Sequence, residues 1–153
     1  MSDNNKPIVV AVSGGFDPLH IGHVRMFNEA KKFGDKLVVI INNDNWLMKK
    51  KGYVFMPQHE RKEIIESFAA VDEVVFTDHQ NNPTDMSVSD ALRKLRPDIF
   101  ANGGDRLTHN TPEIDACAEI GSRMEYNVGA GGKVQSSSWL VDKALKNSRP
   151  KEI

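Results

Sequence analysis

The sequence predicts an α/β fold, in which a doubly wound parallel sheet of about five strands carries helices on both faces. Apolar, β-branched runs alternate with amphipathic stretches along the whole chain, which is typical of repeated β-α units. The runs are also nearly continuous, as expected for strands that are covered on both faces. Because the connections are short, we expect residues 1–153 to form one domain, with its core at about 7–146.

The first unit is a strand, a turn and a helix. "PIVVAVS" at 7–13 predicts a buried strand, and "GGFDPL" predicts the turn after it. A helix is expected over about 20–33, because Val24, Phe27 and Ala30 fall on one face. Gly34 is a typical helix end.

The middle of the chain predicts two more strands. "KLVVIIN" at 36–42 is the second strand, and residues 43–55 are either irregular or a short helix. Pro57 suits the first turn of a helix over 57–70. A third strand is expected at 71–77, followed by a loop at 78–85.

The last part of the chain completes a Rossmann-like pattern. Ser87 and Asp90 form an N-cap pattern before "DALRKL". Thr111–Pro112 predicts the start of a helix that Gly121 ends. The remaining elements are strands at 96–104 and 123–128 and a helix at 136–146.

Composition excludes several classes of protein. The net charge of −1 gives no basic face for nucleic acid. No apolar stretch approaches the ~20 residues that span a bilayer, and the polar N-terminal residues lack the apolar core of a secretion signal. The single cysteine, Cys117, cannot form an internal disulfide. We therefore expect a cytoplasmic protein without nucleic-acid or membrane partners.

The turn after the first strand carries the most informative pattern. Ligands of such sheets bind at the carboxyl ends of the strands, and Gly14 and Gly15 let the backbone approach a phosphate. His20 and His23 lie on one face at a helix start, where anions are favoured. Gly22 leaves space for a base or ribose. The pattern indicates a polyphosphate whose charge grows in a transition state.

Other interpretations of the two histidines remain. They could ligate a metal, with Asp17 as a third ligand, or they could be ordinary surface or capping residues. The length of "GGFDPLHIGH" favours the phosphate site over both. A dinucleotide-binding domain is disfavoured, because no G-x-G-x-x-G follows the first strand.

"GGFDPLHIGH" resembles the signature of the cytidylyltransferase-like nucleotidyltransferase superfamily, which shares its H-I-G-H box with class I aminoacyl-tRNA synthetases. "HERKEIIESFAAVDEVV", "LRPDIFANGGD" and "SSSWLV" continue the resemblance over roughly residues 8–146. The resemblance implies transfer of AMP or CMP from a nucleoside triphosphate to a phosphorylated small molecule, with release of pyrophosphate. Mg²⁺ would accompany the triphosphate, and a homodimer is expected.

The resemblance also implies roles for individual residues. The catalytic residues would be His20 and His23, at the α-phosphate and the bridging oxygen, and Lys50, at the triphosphate. The nucleotide-binding residues would be Gly14, Gly15, Phe16, Asp17, Gly22, Lys51, Arg61, Gly103, Gly104, Asp105, Lys133, Ser136, Ser137 and Ser138. The alternatives are a solvated loop for the lysines, a structural ion pair for Arg61 and plain helix capping for the serines.

Departures from the family pattern bear on the acceptor. Gly15 stands where threonine is frequent, and an expected arginine near Gly131 is absent, with Lys133 as a substitute. Met48 and Asp78 align with lysines of the glycerol-phosphate enzymes, whereas "NGGD" resembles the heptose 1-phosphate adenylyltransferase branch. We therefore expect a sugar-phosphate acceptor. The alternatives are a glycerol-3-phosphate or other phospho-alcohol cytidylyltransferase and a nucleotide-binding regulatory protein without turnover.

Overall fold

The computed structural model describes residues 6–103, 111–129 and 136–148. The strands within these ranges are β1 Val9–Gly14, β2 Lys36–Ile41, β3 Glu73–Phe76, β4 Ile99–Ala101 and β5 Arg123–Glu125. The helices are α1 Ile21–Lys31, α2 Asp44–Lys51, α3 Gln58–Glu66, α4 Ser89–Leu95, α5 Ile114–Ile120 and α6 Ser137–Asn147. All strand pairs in these ranges are parallel, which confirms the predicted fold class.

The order of the strands fixes where a ligand can bind. The strand order of the sheet is β3-β2-β1-β4-β5, so β2 and β3 lie on one side of β1, and β4 and β5 lie on the other. The strand order therefore reverses between β1 and β4, and a crevice forms outside the carboxyl ends of the strands at such a switch point. The turn that follows Gly14 lies at this crevice.

The core lies on both faces of the sheet, because successive strand residues point to opposite sides. On the face that α1 and α3 cover, Val12, Val39 and Ile41 pack with Phe27 and Ile65. The other face is covered by α4 and α5, and its core residues are Ala11, Ile40, Val88, Leu92, Phe100 and Cys117. We call the two sides the α1 face and the α4 face. Cys117 is a buried core residue.

Two of the predicted helix ends differ in detail from the structure. The N-cap position of α4 is Val88, one residue after the predicted Ser87, and the N–H of Val88 donates to the buried carboxylate of Glu113 at 2.9 Å. The hydroxyl of Ser87 still accepts the N–H of Ser89 at 3.3 Å, a bond of the capping type. Gly34 does not act as a left-handed cap, because α1 ends at Lys31. A Cβ at Gly34 would lie 2.7 Å from the carbonyl oxygen of Ile8, so close packing against the start of β1 requires this glycine.

Candidate active site

A tight turn joins β1 to α1, and the residue in it with a left-handed backbone conformation is Phe16, not a glycine. Phe16 has φ 53° and a buried ring, a left-handed conformation that is strained for a residue with a side chain. A Cβ at Gly14 would lie 2.9 Å from the Phe16 ring, and one at Gly15 would lie 3.1 Å from Leu47 and 3.2 Å from Trp46. The two glycines therefore leave room for protein side chains, and the α2 side chains fill the space that a threonine at Gly15 would need.

His20 and His23 form a reciprocal cap at the start of α1. The Nδ1 atom of His20 accepts the N–H of Gly22 at 3.1 Å, and the Nδ1 atom of His23 accepts the N–H of His20 at 3.2 Å. A ring nitrogen that accepts a hydrogen bond carries no proton, so each neutral ring has its proton on Nε2. The rings stack with 3.7 Å between their centroids. The start of α1 therefore carries two Nε2–H groups side by side.

The surroundings of His23 keep its ring neutral. Burial, followed by the charges of His20 and Lys51, lowers the pKa of His23 from 6.5 to about 3. The ring of Phe16 contacts it edge-on, with 4.9 Å between the centroids. A neutral imidazole with a fixed tautomer is suited to donating a hydrogen bond and not to exchanging protons near neutral pH.

The depressed pKa predicts a pH dependence of stability. Below pH 6.5 the unfolded chain protonates this histidine, whereas the folded protein keeps it neutral down to about pH 3. The unfolding free energy should therefore fall as the pH is lowered through that interval. We expect His23 to account for a loss of about 2 kcal/mol between pH 7 and pH 5. Urea unfolding of the wild type and His23→Gln at both pH values measures it, and an equal loss in the two proteins contradicts it.

Lys51, and not Lys50, contacts the turn that leads to the histidine pair. The Nζ atom of Lys51 donates to the carbonyl oxygen of Asp17 at 2.9 Å, and its charge acts on His23. Burial lowers the pKa of Lys51. Lys50 lies exposed on the last turn of α2. The sequence pattern identified the lysine run, but the direction in which α2 presents each lysine depends on tertiary packing.

Asp17 holds two chain segments together. Its side chain is fully buried, and its two carboxylate oxygens accept the N–H groups of Phe55 at 2.7 Å and Met56 at 2.6 Å. These bonds fasten the α2–α3 connection to the turn after β1. Since both oxygens are engaged, the geometry gives no support to Asp17 as a third metal ligand beside the histidines. Among the residues that the structure describes, no group of three possible metal ligands lies together.

Arg61 joins four parts of the site from a fully buried position. Its Nη1 atom donates to the carbonyl oxygens of Gly15 at 2.6 Å and Asn42 at 2.7 Å. Its Nε atom donates to the carbonyl oxygen of Met56 at 2.9 Å, and Nη2 pairs with the carboxylate of Asp44 at 2.6 Å. The structural ion pair that the sequence left open is therefore present, and the guanidinium fixes the backbone of the turn.

The start of α6 lies against the same turn. Ser137 donates its hydroxyl to the carbonyl oxygen of Pro18 at 2.7 Å. Ser136 is the N-cap, and its hydroxyl oxygen accepts the N–H of Trp139 at 3.0 Å. Ser138 is exposed on the first turn. Two helix N-termini, those of α1 and α6, therefore converge beside residues 15–20.

The end of β4 completes the described part of the site. Gly103 follows Asn102, whose side-chain amide donates to the carbonyl oxygen of Glu125 at 3.2 Å. Gly104, Asp105 and Lys133, which the sequence resemblance implied as nucleotide-binding residues, lie outside the described residues.

Sequence reasoning missed the polar residues at the end of β2. Asn43 caps α2 by accepting the N–H of Trp46 at 3.0 Å, and Asp44 is the ion-pair partner of Arg61. Asn42 is buried, and its backbone N–H donates to the carbonyl oxygen of Gly14, where the turn begins. The available signal was the abrupt change from "LVVII" to "NND" at the carboxyl end of a buried strand.

The fold and the histidine pair at the switch point define the class, an α/β protein with its candidate site at the carboxyl ends of the strands. The family follows from a direct comparison, since residues 11–127 match the family model described as cytidylyltransferase-like. The chain therefore belongs to the cytidylyltransferase-like family of nucleotidyltransferases, which confirms the resemblance seen in the sequence. No helix among the described residues is long and apolar enough to cross a membrane.

Named relatives fall into two groups. The FAD synthase of Pyrococcus abyssi is 37% identical over 103 residues, which cover 67% of this chain and 66% of that protein. The bifunctional protein HldE of Streptomyces coelicolor is 33% identical over 143 residues, which cover 92% of this chain and 29% of that protein. This chain thus spans about two thirds of the former and under a third of the latter.

A solved structure supports the same fold. The lipopolysaccharide core biosynthesis protein from Thermoplasma volcanium superposes with a TM-score of 0.60 and 26% identity. The match covers 79% of this chain and 94% of that chain.

Proposed function

We propose that this protein transfers AMP or CMP from a nucleoside triphosphate to a phosphorylated small molecule and releases pyrophosphate. The stacked His20–His23 pair carries the proposal, because its Nε2–H groups lie at a helix start, where backbone N–H groups and the dipole favour phosphate. Lys51 and the α6 start at Ser137 flank the same turn. These groups together provide donors and positive charge for a triphosphate.

The proposed reaction is a single displacement. An oxygen of the acceptor phosphate forms a bond to the α-phosphorus as the bond to the α,β-bridging oxygen breaks, and pyrophosphate leaves. His20 and His23 donate hydrogen bonds to the α-phosphate and the bridging oxygen, where negative charge grows. Because nucleophile and leaving group are both ionised phosphates, the protein positions them and neutralises charge without supplying a nucleophile.

The proposal includes Mg²⁺, bound chiefly by triphosphate oxygens and water. The two carboxylates of the site are already engaged, Asp17 by two backbone N–H groups and Asp44 by Arg61. The site therefore fits a cation that arrives bound to the nucleotide. Mg²⁺ would supply neutralisation of the triphosphate charge. A cytoplasmic location, a homodimer and one domain over residues 1–153 belong to the same proposal.

For the acceptor we favour a sugar phosphate of the heptose 1-phosphate type. The resemblance of "NGGD" to that branch and the HldE relatives support this choice. Met48 is exposed and Asp78 pairs with Lys94 at 2.7 Å. Because Lys94 offsets the charge of Asp78, the missing lysines, and not repulsion by the aspartate, argue against glycerol 3-phosphate.

A second acceptor is favoured by the FAD synthase relatives from Pyrococcus. With this acceptor, the protein would join AMP to flavin mononucleotide. The same histidine pair and the same displacement would serve, so the two candidates differ only in the part of the acceptor beyond its phosphate.

A parallel assay separates these possibilities. Pyrophosphate release is measured with Mg²⁺ and either ATP or CTP, against heptose 1-phosphate, flavin mononucleotide and glycerol 3-phosphate. We expect the highest kcat/KM with the sugar phosphate. Fastest turnover with flavin mononucleotide supports the second candidate, and fastest turnover with glycerol 3-phosphate and CTP contradicts our choice. A triphosphate that raises Tm without any turnover indicates a regulatory protein.

The two lysines give a prediction within this function. Lys51→Met should raise the KM for the triphosphate and lower kcat, with a loss in kcat/KM of about 10-fold or more, because a partly desolvated charge is removed. Lys50→Met, the matched variant on the exposed side of α2, should change kcat/KM by about 3-fold or less. Steady-state kinetics with both variants measures this, and a larger effect at Lys50 restores the assignment made from the sequence.

A further inference from the structure

The buried side-chain oxygen of Asn42 lacks a hydrogen-bond partner within the described part of the chain. Asn42 is 5% exposed, and its Oδ1 atom has no hydrogen-bond partner among residues 6–103, 111–129 and 136–148. A buried acceptor without a hydrogen bond destabilises the folded protein. Its neighbours show no such deficit, since Asn43 donates to the carbonyl oxygens of Thr77 and His79 at 3.2 and 2.9 Å. The cost at Asn42 therefore calls for a compensating role.

The backbone of Asn42 is rigidly fixed beside the candidate active site. Its N–H donates to the carbonyl oxygen of Gly14 at 2.9 Å, and its own carbonyl oxygen accepts from Arg61 at 2.7 Å. The same guanidinium nitrogen holds Gly15. The unpaired amide oxygen is thus anchored directly to the turn that precedes the histidine pair.

Asn42 lies on the face of the sheet opposite α1. Ile41 packs on the α1 face and Ile40 on the α4 face, so the alternation places the next residue, Asn42, on the α4 face. Thr77 follows β3 beside it, with its N–H donating to the carbonyl oxygen of Ile41 at 2.9 Å. By the same alternation Thr77 lies on the α4 face, so two polar residues end adjacent strands there.

Open space adjoins Thr77, the neighbour of Asn42 at this end of the sheet. A cavity of about 350 Å³ is lined by residues of the segment from Thr77 to Ala91, a size within the range of about 300–1,000 Å³ of small-molecule pockets. The described lining is mostly polar, and two of its three aspartates, Asp78 and Asp90, are paired with Lys94 and Arg93. Such a lining suits an uncharged group with many hydroxyls.

We propose that Asn42 determines acceptor specificity by accepting a hydrogen bond from a hydroxyl group of the acceptor, whose uncharged polyol part extends toward the cavity beside Thr77. This inference rests on the proposed nucleotidyl transfer. A phosphate oxygen cannot satisfy Oδ1, because it is also an acceptor, whereas a hydroxyl can. The nucleotide belongs to the β1–β4 crevice, and β2 lies on the other side of β1, where a second substrate can approach.

The test compares Asn42→Leu and Asn42→Ala with the wild type. Pyrophosphate release is measured with ATP and either heptose 1-phosphate or flavin mononucleotide. We expect the acceptor KM to rise about 10-fold while the KM for ATP changes less than about 2-fold. The Tm of Asn42→Leu should be unchanged or higher, because an unpaired polar group is removed. Ser122→Ala, at a buried hydroxyl before β5, is the control and should leave both KM values unchanged.

Each other outcome overturns the inference. An unchanged acceptor KM in both variants excludes recognition by Asn42 while leaving the transferase function intact. A rise in both KM values together with a lower Tm assigns Asn42 a structural role only. If the wild type neither turns over nor gains Tm with either acceptor, in the presence of ATP or of CTP, both proposed acceptors and this inference fail together.

Discussion

Replacing either histidine of the candidate active site should lower kcat on the order of 100-fold or more while the protein stays folded. The reason is geometric. The stacked rings of His20 and His23 place two Nε2–H donors at a helix start, and donors aimed at developing negative charge act mainly on the transition state. The KM for the triphosphate should change much less than kcat. Steady-state pyrophosphate release measures both.

Variants that preserve the helix cap separate catalysis from structure. His20→Asn keeps an N-cap acceptor, and His23→Gln keeps a side chain that reaches back to the N–H of residue 20. We expect both to retain a Tm near that of the wild type and still lose turnover. His59→Ala, an exposed position on α3, is the matched control. Full activity in His20→Asn or His23→Gln would show that the histidine concerned only caps α1.

Replacing Arg61 should produce a large loss of stability. Arg61→Met leaves the carbonyl oxygens of Gly15, Asn42 and Met56 without their donor and removes the cation from a pair with Asp44. Removing the donor of a buried acceptor typically costs about 1–3 kcal/mol. The pair with Asp44 adds less than a buried pair would, because the Asp44 side chain is 37% exposed. Arg61→Lys should lose most of this free energy, because an ammonium cannot reproduce the planar fork of donors.

Urea unfolding measures the effect at Arg61 against a matched surface variant. Lys62→Met removes an exposed i,i+4 pair with Glu66 at 3.3 Å, and it should cost about 0.5 kcal/mol or less. If Arg61→Met keeps its stability and instead loses affinity for the triphosphate, Arg61 is a nucleotide ligand, as the family resemblance implied.

Features that depend on local pattern were predictable from the sequence. The central strands β1, β2 and β4 follow from apolar runs, since a strand covered on both faces must be apolar throughout. The histidine pair follows from a three-residue spacing at a helix start, where neighbours share a face. The left-handed residue Gly121 at the end of α5 was also predicted correctly. These features are set by residues within one or two turns of each other.

The roles of Asp17, Lys51 and Arg61 could be decided only by the tertiary structure. The bond from Met56 to Asp17 spans 39 residues, and that from Arg61 to Gly15 spans 46. Such contacts depend on how α2 and α3 pack beside the turn, and no local periodicity records that packing. The sequence by itself determined the fold class and the place of the histidines. Tertiary packing decided which lysine lies at the turn that leads to the histidines and which buried polar groups form hydrogen bonds with that turn, because those contacts join segments that are distant in the chain.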